Sequence, residues 1–356
     1  MLAALPACLA AQTPRSPKAK PFPSVGEFVR FNDPTTETFV VRLTSLKSSS
    51  FLPAASNHFV SLKERYLIFS SDRGGSLCPF QLDLRTGAIR EIATTVHLSA
   101  DSLCLDPKEH WLYFLDGGQL RRTEIVKRES KRQPAETVAD EVSSFSIAQS
   151  GAVFLVRSGN LEKIDNAETV TLASGVGHTC LAQPGGKGCL FTRETSATER
   201  EFWYAAGESV KPVLLAKGSV SDPFWSADGQ SLLFLRDVVT SNVTLAEIHE
   251  VTLDGTGEHC VASTSQFASF APNFDGSVFV GASRSKAQPN VVLLLRSAKR
   301  EMTLCQHRSS RPSAVSPVFS PDARRVYFQS DEEGKPAIYS VSVEMLVEPY
   351  RDNSEG

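Results

Sequence analysis

His178, in the stretch "GVGHTC", is the strongest candidate for a functional imidazole among the seven histidines of this 356-residue chain. An imidazole titrates near neutrality and can take a proton in a transition state. Asp222, in "VSDPFW", is the carboxylate that would stand beside it. A second set of residues is cationic: Arg73, Arg193, Arg236, Arg284, Lys286, Arg308 and Arg311 all fall where loops could reach one face of the molecule. Gathered in a ring they would suit an acidic ligand, and scattered they would be solvated turn residues. His58, beside Phe59 at the start of a strand, and His307 in "CQHRSS" are the other imidazoles near candidate loops. Several familiar signals are missing. There is no Gly-x-Ser-x-Gly elbow and no Cys-x-x-Cys pair, and "PGGKG" lacks the Lys-Ser/Thr and helix of a phosphate loop, so it reads as a β-turn.

The elements that must position these residues follow from a repeat. The stretch "PVFSPDARRVYFQSDEEGKPAIYSVSVE" joins an apolar strand, a Ser-Pro-Asp turn, a bulky second strand, a charged turn and an alternating third strand. Aligned on Phe328, the same order recurs around Phe69, Phe114, Phe154, Phe191, Phe234 and Phe279, with gaps of 45, 40, 37, 43, 45 and 49 residues. Pro fixes φ in the turn, and Asp or Asn bonds its own backbone. Seven copies at this period predict an all-β, seven-bladed propeller of four-stranded blades. The last copy ends without a fourth strand, and "ETFVVRLT" (37–44) is an orphan strand near the N-terminus. It is expected to pair with 337–343 and close the ring, burying Phe39, Val41 and Leu43 on one face.

In a propeller the first strand of each blade lines the central channel. Residues just before these strands should ring one opening: Asn57, His58, Asp101, Ser102, Ser144, His178, Asp222, Gln266 and Ser316. That mouth is polar and mixed in sign, and every histidine in it has a structural reading as a hydrogen-bonded loop residue.

Composition limits partners. Apolar residues are 41 % and charged residues 22 %, as in ordinary globular proteins, and the net charge of −3 gives no reason to expect nucleic acid. No apolar run is long enough to span a bilayer. The first residues, "MLAALPACLAAQTPR", resemble the end of a secretory leader, with "LPAC" around Cys8 similar to a lipobox. The organisation expected is a leader and Pro/Lys linker over 1–26, a propeller over 27–344 and a polar tail over 345–356, in an exported monomer that is periplasmic or extracellular. Beyond Cys8, six cysteines remain, mostly in apolar strands where they act as small buried hydrophobes. Cys180 and Cys189 could face each other across a hairpin.

The repeat resembles the TolB-type, WD40-like propeller repeat. More narrowly, "FVVRLT", "YLIFSSDRGG", "FQLDLRTGAIREI" and "FQSDEEGKPAIYSVSVE" are similar to oligogalacturonate lyases. That resemblance implies a seven-bladed propeller that cleaves pectin fragments by β-elimination. It also implies a divalent metal, manganese, held at the channel mouth partly by a Gln-x-x-His-Pro-His-Pro-Ser-Phe motif before the last Ser/Thr-Pro-Asp. The matching stretch here is "RPSAVSPVFSPD", which puts Arg311 at the Gln position, Ala314 at the first His and Ser316 at the second. A cation and a methyl cannot ligate a metal, and a neutral hydroxyl is a poor donor. No cofactor is therefore expected. The leading reading is non-catalytic recognition of a uronate-type glycan or of a protein partner. His58, Arg73, Asp222, Arg236, Gln266, Arg308, Arg311 and Ser316 are its candidate ligand-binding residues. The alternative is an oligogalacturonate lyase with His178 as its base.

Overall fold

All seven anchor phenylalanines lie in the second strand of a sheet, and each is at most 2 % exposed. A computed structural model describes residues 26–125, 134–166, 168–207, 210–240, 243–264 and 266–344. The expected leader with Cys8 and the tail at 345–356 lie outside the described residues. Seven antiparallel sheets follow one another along the chain: six have four strands and one has five. The inner strands of blades 1 to 7 are Ser50–Phe51, Cys104–Leu105, Val142–Ile147, Cys180–Ala182, Val220–Trp225, Phe267–Pro272 and Val318–Phe319. The chain is an all-β seven-bladed propeller.

The turn after each inner strand has one construction in all seven blades. The amides of Glu64, Glu109, Gly151, Gly186, Gly229, Gly276 and Ala323 each donate to the carbonyl three residues earlier. All seven residues have positive φ, between 48° and 91°. Four of the seven are glycine, which meets that conformation without strain.

The ring closes as the strand count predicts. Phe39–Arg42 pairs antiparallel with Ala337–Ser342, Val40 facing Val341 and Val41 facing Ser340. A fifth strand, Val29–Asn32, adds outside it. The burial differs from the expected alternation: Val40 and Val41 are both buried and Leu43 is fully so, whereas Phe39 is 50 % exposed. The reason is that a propeller blade is covered on both faces. Val40 belongs to the core shared with blade 6, while Val41 and Leu43 belong to the core shared with blade 1. Phe39 sits opposite Asn32 at the strand end, beyond both cores.

The six described cysteines are free thiols, and only Cys260 is exposed. Cys180 and Cys189 touch through their thiols across neighbouring strands, although their direct ladder partners are Phe191 and Ala182. Among the described residues, no helix is long and apolar enough to cross a membrane.

Candidate functional site

The channel has two ends, and they differ in chemistry. At the end where inner strands begin, the expected cationic ring does not assemble, because most of its members are held by carboxylates or carbonyls, several of them from a neighbouring blade. The Arg73 guanidinium lies 3.3 Å from Glu27 and stacks 5.2 Å over Phe69. Arg193 donates to the carbonyls of Ser174 and Gly175 and covers Trp203 at 4.8 Å. Arg236 pairs with Glu258 at 2.6 Å and donates to the Lys217 carbonyl. Arg284 is bound to Asp237 and Arg308 to Glu332, each at 2.9 Å. Arg73, Arg193 and Arg236 each lie over the anchor phenylalanine of their own second strand, which explains why so many basic residues follow the anchors. Arg311 is different: its side chain is exposed and has no partner among the described residues.

The imidazoles separate as well. His178 is exposed in the loop before Cys180–Ala182. Asp222 is not paired with it: the groups acting on this carboxyl are the Ser221 hydroxyl and, more weakly, Arg200. Protein surrounds the Asp222 carboxyl, and this desolvation pushes it up to about 6. His307 does not face the opening. It is completely buried, with Nε2 2.9 Å from the Ser283 carbonyl and Nδ1 accepting from the Ser309 amide, and burial lowers its pKa. It is a structural residue.

Asp222, Gln266 and Ser316 share a feature that sequence did not show. Each has positive φ (48°, 62° and 44°): Asp222 at the register break within its inner strand, Gln266 and Ser316 just before theirs. For residues with a Cβ this conformation costs roughly 1–2 kcal/mol, so the surrounding fold must impose it.

The large concavity opens at the other end. A cavity of about 550 Å³ is lined by Leu62, Pro107, Gln149, Pro184 and Trp225 at its rim and by Leu105, Ile147, Leu181 and Phe224 deeper in. Among the described residues, no Lys, Arg, Asp or Glu lines it. A second space of about 200 Å³, lined by Phe274 and Pro321, shares Asn57 and His58 with the first. The floor between them comes from a departure in blade 1. Phe51 pairs with Ser70, but the next ladder contact is Val60 with Leu67, so residues 52–59 bulge out of register into the channel. The Asn57 amide anchors this excursion to the carbonyls of Asp101 and Leu103. His58 therefore lies inside the channel. Its Nε2 is buried without a hydrogen bond, 3.9 Å from Glu109, and burial lowers its pKa despite that carboxylate.

Around the rim the first residue after each inner-strand turn begins is Leu62, Pro107, Gln149, Pro184, Ala227, Phe274 or Pro321. Six of these seven are apolar. Leu62 is 61 % exposed and Phe274 is 70 % exposed, a clear cost in water for two large side chains. The signal was present in the sequence: the seven turns align once the anchors do, and "FLPAASNHF" breaks the alternation of its neighbours.

No protein-family model matches this sequence, and no curated protein does. The structure is similar to the crystal structure of an oligogalacturonate lyase from Vibrio parahaemolyticus, with a TM-score of 0.78 and 19 % sequence identity, covering 90 % of this chain and 97 % of that one. An oligogalacturonate lyase in complex with manganese gives a TM-score of 0.78 at 17 % identity, covering 89 % and 96 %. Hydrazine synthase of Kuenenia stuttgartiensis gives 0.57 at 15 % identity, covering 81 % and 95 %. At these identities the likeness establishes the fold.

Proposed function

We propose that this propeller is a non-catalytic recognition module whose ligand is an apolar segment of a partner protein, seated at the end of the channel where the inner strands finish. The observation that carries this reading is the apolar collar: six of seven rim positions, with Leu62 and Phe274 exposed, around a cavity without a charged lining residue. Exposed apolar groups gathered around a concavity are the usual mark of an interaction surface. His58 and Asn57 on the floor line both spaces and join them into one concavity.

A uronate-type glycan is the second reading, and the unpartnered Arg311 on the opposite face favours it. Elimination chemistry draws less support. Manganese, which one structural neighbour binds, does not fit the residues at 311–316. Arg311, Ala314 and Ser316 offer a guanidinium, a methyl and a hydroxyl. The nearby carboxylate, Asp331, already accepts hydrogen bonds from Ser309 and Ser310. Among the described residues, His178 has no partner that would orient it as a base. The leader-like first residues favour an exported location, periplasmic or extracellular, and we propose a monomer.

The test has two arms. Photo-crosslinking residues placed at Leu62 and Phe274 should each give a discrete protein adduct in cells, and Phe274→Arg, which puts a charge on the exposed rim, should abolish the adduct at Leu62. Oligogalacturonate should give no unsaturated uronate absorbance with or without Mn²⁺. Turnover that rises with Mn²⁺ restores the lyase. Salt-sensitive galacturonate binding that is lost in Arg311→Ala selects the glycan.

A further inference from the structure

The two outer strands of blade 5 carry a side-chain cluster that the channel does not use. Glu247 and His249 are two residues apart on Val243–Thr252, so their side chains share one face of the sheet. Cys260 lies on the outermost strand, His259–Ser263, and is the direct ladder partner of His249. A register shift between Ile248 and His249 makes it so; unbroken pairing would have placed Val261 there. Such shifts recur between the outer strands of blades 3, 4 and 6, and here the shift aims a thiol at an imidazole.

One donor atom each from Glu247, His249 and Cys260 lies within 4.8 Å of the others. His249 Nε2 is 3.0 Å from Glu247 Oε2, and its Nδ1 is 2.9 Å from Glu258 Oε1. Glu258 is itself held by Arg236 at 2.6 Å, and the imidazole lies 5.9 Å from the Phe234 ring. The imidazole is thus fixed in place, with one nitrogen on an outer carboxylate and the other turned toward a carboxylate and a thiol.

We infer that Glu247, His249 and Cys260 form a binding site for one divalent transition metal of the zinc type. The donor set decides the class of ion. Calcium and magnesium take oxygen ligands, whereas a thiolate with an imidazole and a carboxylate suits zinc. Zinc bonds of about 2.0–2.3 Å in a tetrahedron need donors roughly 3.3–3.7 Å apart. The imidazole and Glu247 meet this after a shift of a few tenths of an ångström, and the Cys260 thiol must move inward by about an ångström. Glu258 is the positioning residue, because a carboxylate on the second ring nitrogen fixes the tautomer that frees Nε2 for metal. Cys260 is exposed, so the fourth position opens to solvent.

Cobalt(II), which reports its ligands by colour, tests the site. Chelator-treated, desalted full-length protein should bind one equivalent of Zn²⁺, and loading with Co²⁺ should give a thiolate-to-metal charge-transfer band. Cys260→Ser should remove that band. Its metal-free melting temperature should match that of the wild type, because the residue is at the surface. Glu258→Gln should keep the band and weaken binding about 10–100-fold. No uptake of either ion by the wild-type protein overturns the inference, as does a charge-transfer band that persists in Cys260→Ser.

Discussion

Replacing Leu43 by alanine tests how the ring is held shut. Leu43 is fully buried in the core between blades 7 and 1, and its amide donates to the Ile338 carbonyl at 2.7 Å. The backbone bond survives the substitution, so the effect isolates packing. A buried Leu→Ala change costs about 2–5 kcal/mol, from lost transfer energy and the cavity left behind. Unfolding entropy of roughly 2.1 cal/mol/K per residue means that, in a domain this long, 1 kcal/mol moves Tm by about 1.5 °C. Leu43→Ala should therefore lower Tm by about 3–7 °C. Phe39 starts the strand that leads into Leu43 but is half exposed, so Phe39→Ala should change stability by no more than about 0.5 kcal/mol. Circular dichroism melts of the two variants beside the wild type make the comparison. Equal shifts would refute the argument, because they would mean that Phe39 at the start of the closing strand and Leu43 just after it are buried alike.

Stability should also depend on pH through two carboxyls. Burial, then the Asp322 side chain, raises Glu64 to about 7 from 4.5, and desolvation raises Asp222 to about 6 from 3.8. Both bind a proton more tightly in the folded state, so their contribution is full below the unfolded values and is lost as pH rises through about 6 and about 7. Tm should fall over that window, and Glu64→Gln with Asp222→Asn should flatten the profile; an unchanged slope in the double variant refutes the assignment. His307→Ala should cost roughly 2–4 kcal/mol, since it opens a cavity and strands buried hydrogen-bond partners, while His178→Ala should be silent in a urea melt. The reverse order would show that the two imidazoles have been assigned the wrong roles.

The fold could be read from the sequence because the anchor phenylalanines occupy the one strand position that two neighbouring blades always cover. The closing strand was legible for a related reason, since a blade short of one strand leaves an unpaired edge. What failed was the extrapolation from position to availability. Arg73, Arg193 and Arg236 sit where loops meet a face, but stacking on an aromatic ring inside the same blade leaves no trace in spacing. His307 reads like a loop residue, and its burial depends on the Ser283 carbonyl, 24 residues earlier, meeting its ring. The excursion at 52–59 moved His58 from the rim into the channel, and its anchor is a contact with blade 2. Local pattern fixes strands well, whereas side-chain partners 20 or more residues away are decided only in the assembled ring.

The blade made from both ends of the chain sets a clock on synthesis. The Thr44 hydroxyl accepts a hydrogen bond from the Ile338 amide, 294 residues later. At the usual ~5–20 residues per second, the ribosome needs about 15–60 s to cover that interval. Throughout it, Phe39–Arg42 must wait with its edge unpaired beside a growing stack of finished blades. Closing so long a loop is also slow in itself. The nascent chain therefore spends most of its synthesis as an open arc, incapable of locking into its final form. An arc of this kind can still be threaded or handed to a chaperone, and it is open to pairing with the same edge on a neighbouring copy.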